Sequence, residues 1–143
     1  MNIKLIVVVF FLFLTSCNSN KITSIDFHYT KPGISSPSQT FCSSNLFVDL
    51  ENIRFKKITN KTFLDKFEQR LIKLKESDEF SINSRIFALI NYEDGNMDTL
   101  CIGEYRGICF NGNILSDNED FHNLIMDELD FYDKKLYDEL HQD

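Results

Sequence analysis

The side chains with the most chemistry to offer are four cysteines, Cys17, Cys42, Cys101 and Cys109, and three histidines, His28, His122 and His141. Cys101 and Cys109 are equidistant from Tyr105. A hairpin turning over Glu104-Tyr105-Arg106 therefore sets them opposite each other on one face. Two readings stand for that pair. The favoured one is two small buried apolar residues. The alternative is a cross-strand disulfide, which needs an oxidising compartment and the closer, non-hydrogen-bonded type of pair. Cys42 lies far off in sequence and is free to pair with either or with neither. No histidine stands at metal-ligand spacing from another His or from a Cys, so no metal is expected. Carboxylates are many, but no two stand out as a general acid–base pair. Asp117-Asn118-Glu119-Asp120 lacks the alternating spacing and central Gly of a calcium loop, and is read as charge at a helix start. There is no glycine-rich phosphate loop either. The expectation is a protein that is not an enzyme and carries no cofactor.

Cys17 has a different context. It closes the stretch MNIKLIVVVFFLFLTSC. Lys4 supplies a positive charge, Leu5 to Leu14 is an unbroken apolar run, and the small residues Thr15 and Ser16 follow. That is the layout of a secretory signal. The run is about half of the roughly 20 residues needed to span a bilayer. Leu14-Thr15-Ser16-Cys17 resembles the lipobox of bacterial lipoproteins. The resemblance covers residues 1–17. It implies that residues 1–16 are a signal peptide, that the Cys17 thiol receives a diacylglyceryl group, and that the new amino group is acylated with a palmitate-type chain. Two or more chains make a stable membrane anchor where one does not. Residues 17–21 are then the lipidated Cys and a short tether. Neither an Asp directly after the Cys nor an acidic cluster follows it. The expected address is therefore the cell envelope, at the outer membrane and facing the periplasm.

Composition bounds the remainder. Hydrophobic residues make up 43% of the chain and Phe occurs 14 times, which points to a packed core and away from a disordered tail. Residues 22–143 are enough for one domain and short for two. The net charge is −7, and becomes −8 once Lys4 leaves with the signal. That excess argues against nucleic acid, which calls for a basic footprint, and is compatible with a basic protein partner.

The elements that position these residues are read in order. Ile22 to Thr30 alternates as a strand, and 31–40 holds both prolines and reads as a loop. Leu46 to Ile58 is apolar but slips phase near Glu51-Asn52, giving a bulge or two short strands. Asn60 to Glu76 carries an apolar stripe of Phe63, Phe67, Leu71 and Leu74 at helical spacing, with Asn60, or Thr62 with Asp65, as its cap. Arg85 to Tyr92 and Met97 to Gly103 read as strands joined at Asp94-Gly95, a two-residue turn that would set Leu89 opposite Leu100 and Phe87 opposite Ile102. The next hairpin sets Ile102 opposite Ile108 and Leu100 opposite Phe110, and Asn111-Gly112 turns into a short strand at Ile114-Leu115. Ser116 with Glu119 forms a capping-box spacing before a long helix to about Leu140.

The expected fold is a small two-layer α+β domain, ordered ββα-βββ-α, with a mostly antiparallel sheet of about five strands and two helices. That register gives Phe87, Leu89, Leu100, Ile102, Ile108 and Phe110 as the core face. The opposite face, with Ile86, Ile90, Tyr92 and Met97, is also apolar and is a candidate binding face for an apolar ligand. The functional expectation is a lipid-anchored envelope protein of binding or scaffolding type. The alternatives are an immunity-like or inhibitor protein for a basic partner, or a carrier of an apolar ligand.

Overall fold

The structure is a computed structural model and describes residues 20–30, 42, 53–78 and 82–132. The signal stretch, Cys17 and residues 133–143 lie outside the described residues. The order is β1 (Ile22–Tyr29), β2 (Arg54–Ile58), α1 (Lys61–Leu71), β3 (Ser84–Tyr92), β4 (Met97–Gly103), β5 (Ile108–Phe110), β6 (Asn113–Leu115) and α2 (Glu119–Leu129). The strands form one sheet in the order β2-β1-β3-β4-β5-β6. All its neighbours are antiparallel. This is the α+β class, with six strands where about five are expected.

Both helices pack on one face of that sheet. Ile25, Phe27, Tyr29, Ile86, Ala88, Ile90, Leu100, Ile102 and Ile108 meet Phe63, Leu64 and Phe67 of α1 and Phe121, Ile125 and Leu129 of α2 in one buried cluster. A register shift between Ile22 and Ser24 brings Ile22 onto the same face as Ile25, against simple alternation. A chain of rings joins the layers: Phe27 to Phe63 at 6.5 Å, Phe63 to Phe67 at 6.1 Å and Phe67 to Phe121 at 5.2 Å.

Helix α1 starts where Asn60 accepts the Phe63 N–H at 3.1 Å, so Asn60 is the cap. It ends at Leu71, short of Glu76. Tight bonds from Lys73 N–H to the Arg70 carbonyl and from Leu74 N–H to the Leu71 carbonyl close the last turn. The chain then runs beside β6, where Glu76 bridges to Leu115 and covers a sheet edge that would otherwise be open. The predicted stripe survives this change, since Leu71 and Leu74 still pack on the core.

Helix α2 differs at both ends from the sequence reading. Its cap is Asn118, which accepts the Phe121 N–H at 2.9 Å; Ser116 and Glu119 do not form a capping box there. It stops at Leu129, far short of Leu140. Asp130 takes a left-handed φ of +46°, Asp130 N–H donates to the Asp127 carbonyl, and Phe131 N–H donates to the Met126 carbonyl. That is a Schellman closure with Asp in the usual Gly place, and it drives Phe131 into the core at 0% exposure. The Tyr29 hydroxyl donates to the Leu129 carbonyl at 3.2 Å, and Lys56 donates to the Glu128 carbonyl while its Nζ lies 3.3 Å from the Glu128 carboxylate. A cation at a helix C-terminus is well placed for the macrodipole.

The first hairpin corrects the expected register by one residue. Ala88 faces Leu100 and Ile86 faces Ile102, in place of Leu89 and Phe87. Asp94-Gly95 is not a two-residue turn. It belongs to a three-residue loop, Glu93 to Gly95, closed by Tyr92 N–H donating to the Asn96 carbonyl at 3.0 Å, with Gly95 at φ +84°. Asp94 has no positive φ, which a type I′ turn would require of it. A one-residue slip moves every side chain of a strand to the other face. The later hairpins pair as read, with Ile102 opposite Ile108 and Leu100 opposite Phe110. Asn111-Gly112 is the two-residue turn, with φ of +48° and +83°.

Phe67 sits at the junction of sheet and both helices and is 0% exposed. Phe67→Ala is expected to lower the unfolding free energy by about 3–5 kcal/mol, measured as a lower denaturant midpoint at unchanged slope. A loss below about 1 kcal/mol would contradict a shared core at that junction.

Candidate functional site

The corrected register relocates the candidate binding face. Ile86 and Ile90 are 0% exposed, filled over by the two helices. Tyr92 is half-buried at the edge of the same cluster. Met97, 63% exposed, lies by alternation on the opposite face, with Thr99 and Cys101. The four residues therefore make no common face, and Ile86 and Ile90 have no room for a carried ligand.

The opposite face has its own cover. Ile82, Phe87, Cys101 and Cys109 form a second buried cluster, with Cys42, Ile53, Leu89 and Ile114 packed on it. Cys42 and Cys101 are joined in a disulfide with Cα atoms 5.5 Å apart. Cys109 is a free, buried thiol. Cys101 and Cys109 are register partners as read, but no bridge joins them. The ladder gives the reason. Gly103 N–H donates to the Gly107 carbonyl and Asn111 N–H to the Thr99 carbonyl. Hydrogen-bonded pairs recur at every second residue, so the pair midway between them is of that wider class. Its Cβ atoms stand toward the upper end of about 4.5–5.5 Å, beyond the roughly 3.5–4.5 Å a disulfide needs. Burial also pushes the Cys109 thiol above its ordinary value. With Cys42 and Cys101 59 positions apart, chain-entropy reasoning gives the bridge a stabilisation of about 4 kcal/mol.

Asn20 and Lys21, read as part of a tether, are bonded to the first hairpin. The Lys21 carbonyl accepts the Glu93 N–H at 3.0 Å. The Asn20 side chain bonds the Asp94 carboxylate, and that bond, more than the Asn96 contacts, holds the Asp94 carboxyl below its ordinary range. Asn20 and Lys21 thus belong to the domain and sit on the first hairpin loop.

Two clefts open on the helix side. One, of about 430 Å³, lies between the Glu104 to Arg106 loop and the start of α2. Three of its polar side chains are already engaged. Asp117 accepts the Gly107 N–H at 2.6 Å, His122 Nε2 lies 3.1 Å from the Gly103 carbonyl oxygen, and the Tyr132 hydroxyl donates to the Glu104 carbonyl at 2.8 Å. These contacts hold loop to helix. His28 stacks near Phe55 and Phe87, at 5.1 Å and 6.4 Å, as a packing residue. Among the described residues no three His, Cys, Asp or Glu side chains converge as metal ligands.

The other cleft, of about 520 Å³, runs between the C-terminal end of α1 and strands β3, β4 and β6. Leu71, Leu74, Phe110 and Leu115 give it an apolar floor, and Ile72 stands at its edge 75% exposed. Glu68, Glu76 and Asp98 supply its charges, and no Lys or Arg lines it among the described residues. Tyr92 donates to Asp98 at 2.6 Å, and Asn111 donates to the other Asp98 oxygen at 2.8 Å. Burial, then the Asp98 hydrogen bond and charge, then Glu68, push the Tyr92 phenol well above its ordinary value. Sequence reading missed Glu68 and Glu76 because their convergence on Asp98 comes from the bridge of Glu76 to Leu115, which no local pattern announces.

No family model matches the chain, and neither a curated protein nor a solved structure does.

A phenol whose folded value is raised keeps its proton while the unfolded chain loses it. Folding therefore loses support as pH climbs above about 10, where the unfolded phenol ionises. Alkaline unfolding followed by circular dichroism is expected to show a shallower fall in stability above that pH for Tyr92→Phe than for the native chain. Parallel falls would remove the phenol from the linkage.

Proposed function

We propose that this chain is a small lipid-anchored protein of the bacterial cell envelope, tied to the outer membrane through Cys17 and facing the periplasm, with a non-catalytic binding role. The observation that carries the reading beyond the lipobox-like Leu14 to Cys17 is the Cys42–Cys101 disulfide. Such bonds form and persist outside the reducing cytosol, where a secretory signal would deliver the chain. No helix among the described residues is long and apolar enough to cross a membrane. In this reading attachment rests on the acyl groups at Cys17.

The binding role is supported by where the polar groups are spent. The histidines described and Asp117 serve packing and loop closure, while the acidic apolar-floored cleft is left open. The excess negative charge favours a basic protein partner over nucleic acid. The carrier reading loses support with the filling of the face at Ile86 and Ile90.

Metabolic labelling with an alkyne-bearing fatty acid tests the anchor. The native chain is expected to take the label and Cys17→Ala to lose it. An unlabelled native chain, or a label retained in the variant, would overturn the reading.

A further inference from the structure

The cleft between α1 and the sheet edge combines an apolar floor with charges of a single sign. Floor and rim come from different parts of the chain: Glu68 and Ile72 from the end of α1, Glu76 from the segment beside β6, Asp98 from β4 and Leu115 from β6. Asp98 is fixed by two hydrogen bonds, from Tyr92 and from Asn111, so its charge is held in place. Ile72, a large apolar side chain 75% exposed, stands where α1 ends and lengthens the apolar strip out of the cleft. Ile72 has no part in the buried core, which closes beneath the cleft through Ile22 and Ile90.

We propose that this groove docks a basic amphipathic segment of a partner protein, its apolar side chains on Leu71, Leu74 and Leu115 and its Lys or Arg side chains against Glu68, Glu76 and Asp98. Charge complementarity selects this occupant. A purely apolar ligand leaves three carboxylates without counter-charge. An acidic segment or a nucleic acid meets like charge, which costs affinity and slows encounter. Helix-in-groove recognition works in this way, with apolar anchors for affinity and flanking charges for orientation.

The groove also has a defined place relative to the chain's start. Ile22 and Tyr92 line it, and Asn20 and Lys21 are held on the adjoining Glu93-Asp94 loop. Asn20 stands three positions after Cys17, so covalent reach limits their Cα separation to about 11 Å. Resting on the anchor reading, the partner segment is met close to the bilayer surface, where basic amphipathic helices lie with their apolar faces inward.

The test uses the full chain in a neutral maltoside detergent and a fluorescent leucine–lysine peptide of helical period as probe, with detergent alone as blank. Binding is expected in the native chain, weakening with salt. Glu68→Gln with Glu76→Gln is expected to weaken it about tenfold while leaving the melting temperature in place, since both side chains stand at the rim. Ile72→Ser is a second variant, at an exposed side chain outside the buried core, and is expected to weaken binding without changing the salt dependence. Equal affinity in native chain and double variant overturns the proposal. So does absence of binding above the blank, whether the groove is filled by a second copy or by residues 133–143. Failure of the anchor shows as a missing acyl label at Cys17 and leaves this affinity standing, so the two failures are distinguishable.

Discussion

Strands β3 and β4 carry apolar side chains on both sides, so a single sheet has to be covered twice. The helix side is closed by a continuous run of rings from Phe27 through Phe63 and Phe67 to Phe121. On the far side a small cluster around Phe87 and Cys101 is fastened covalently to Cys42. This division explains the connections. Helix α1 must leave early, at Leu71, so that Glu76 can close the edge at Leu115. Helix α2 must stop at Leu129 so that Phe131 can turn inward beside Tyr29, with rings 6.2 Å apart. The groove opens where the first of these departures leaves a gap between helix end and sheet edge.

Strand and helix existence was legible because it rests on local periodicity. Phe63, Phe67, Leu71 and Leu74 mark one face of α1 whatever the tertiary structure, and Met97 to Gly103 is bounded as read. The two-residue turn at Asn111-Gly112 was legible for the same reason, since both residues tolerate positive φ. What failed did so for identifiable physical causes. Asp94-Gly95 fits two loop lengths, and only the bond from Tyr92 N–H to the Asn96 carbonyl separates them. That ambiguity inverted β3 and put the candidate ligand face inside the core. Asp130 ends α2 with a left-handed backbone that composition assigns to Gly, so acidic helical pattern continued past the true stop. The disulfide partner of Cys101 depends on which pairs of the ladder are hydrogen-bonded, and on a contact 59 residues away. Neither is written in local spacing.

Site legibility follows the same line. Cys17 could be singled out because a signal is read as linear sequence, apolar run first and small residues next. The groove could not, since its carboxylates come from α1, the segment after it and β4, and meet only when the sheet order is known. The start of the described chain nonetheless lies beside the groove. Asn20 and Lys21 join the first hairpin loop, and the groove begins at Ile22 and Tyr92 beside it. On the proposed anchoring, the groove would lie close to the point of attachment, with the Tyr105 loop at the other end of β4.

The measurement that bears most directly on this picture is the intact mass of the protein purified from membranes without reductant. The expected species begins at Cys17, carries the added mass of a glyceride and its acyl chains, and is two hydrogens lighter than the same chain after reduction. A chain that retains residues 1–16, or one with unmodified Cys17 and no mass change on reduction, would contradict it.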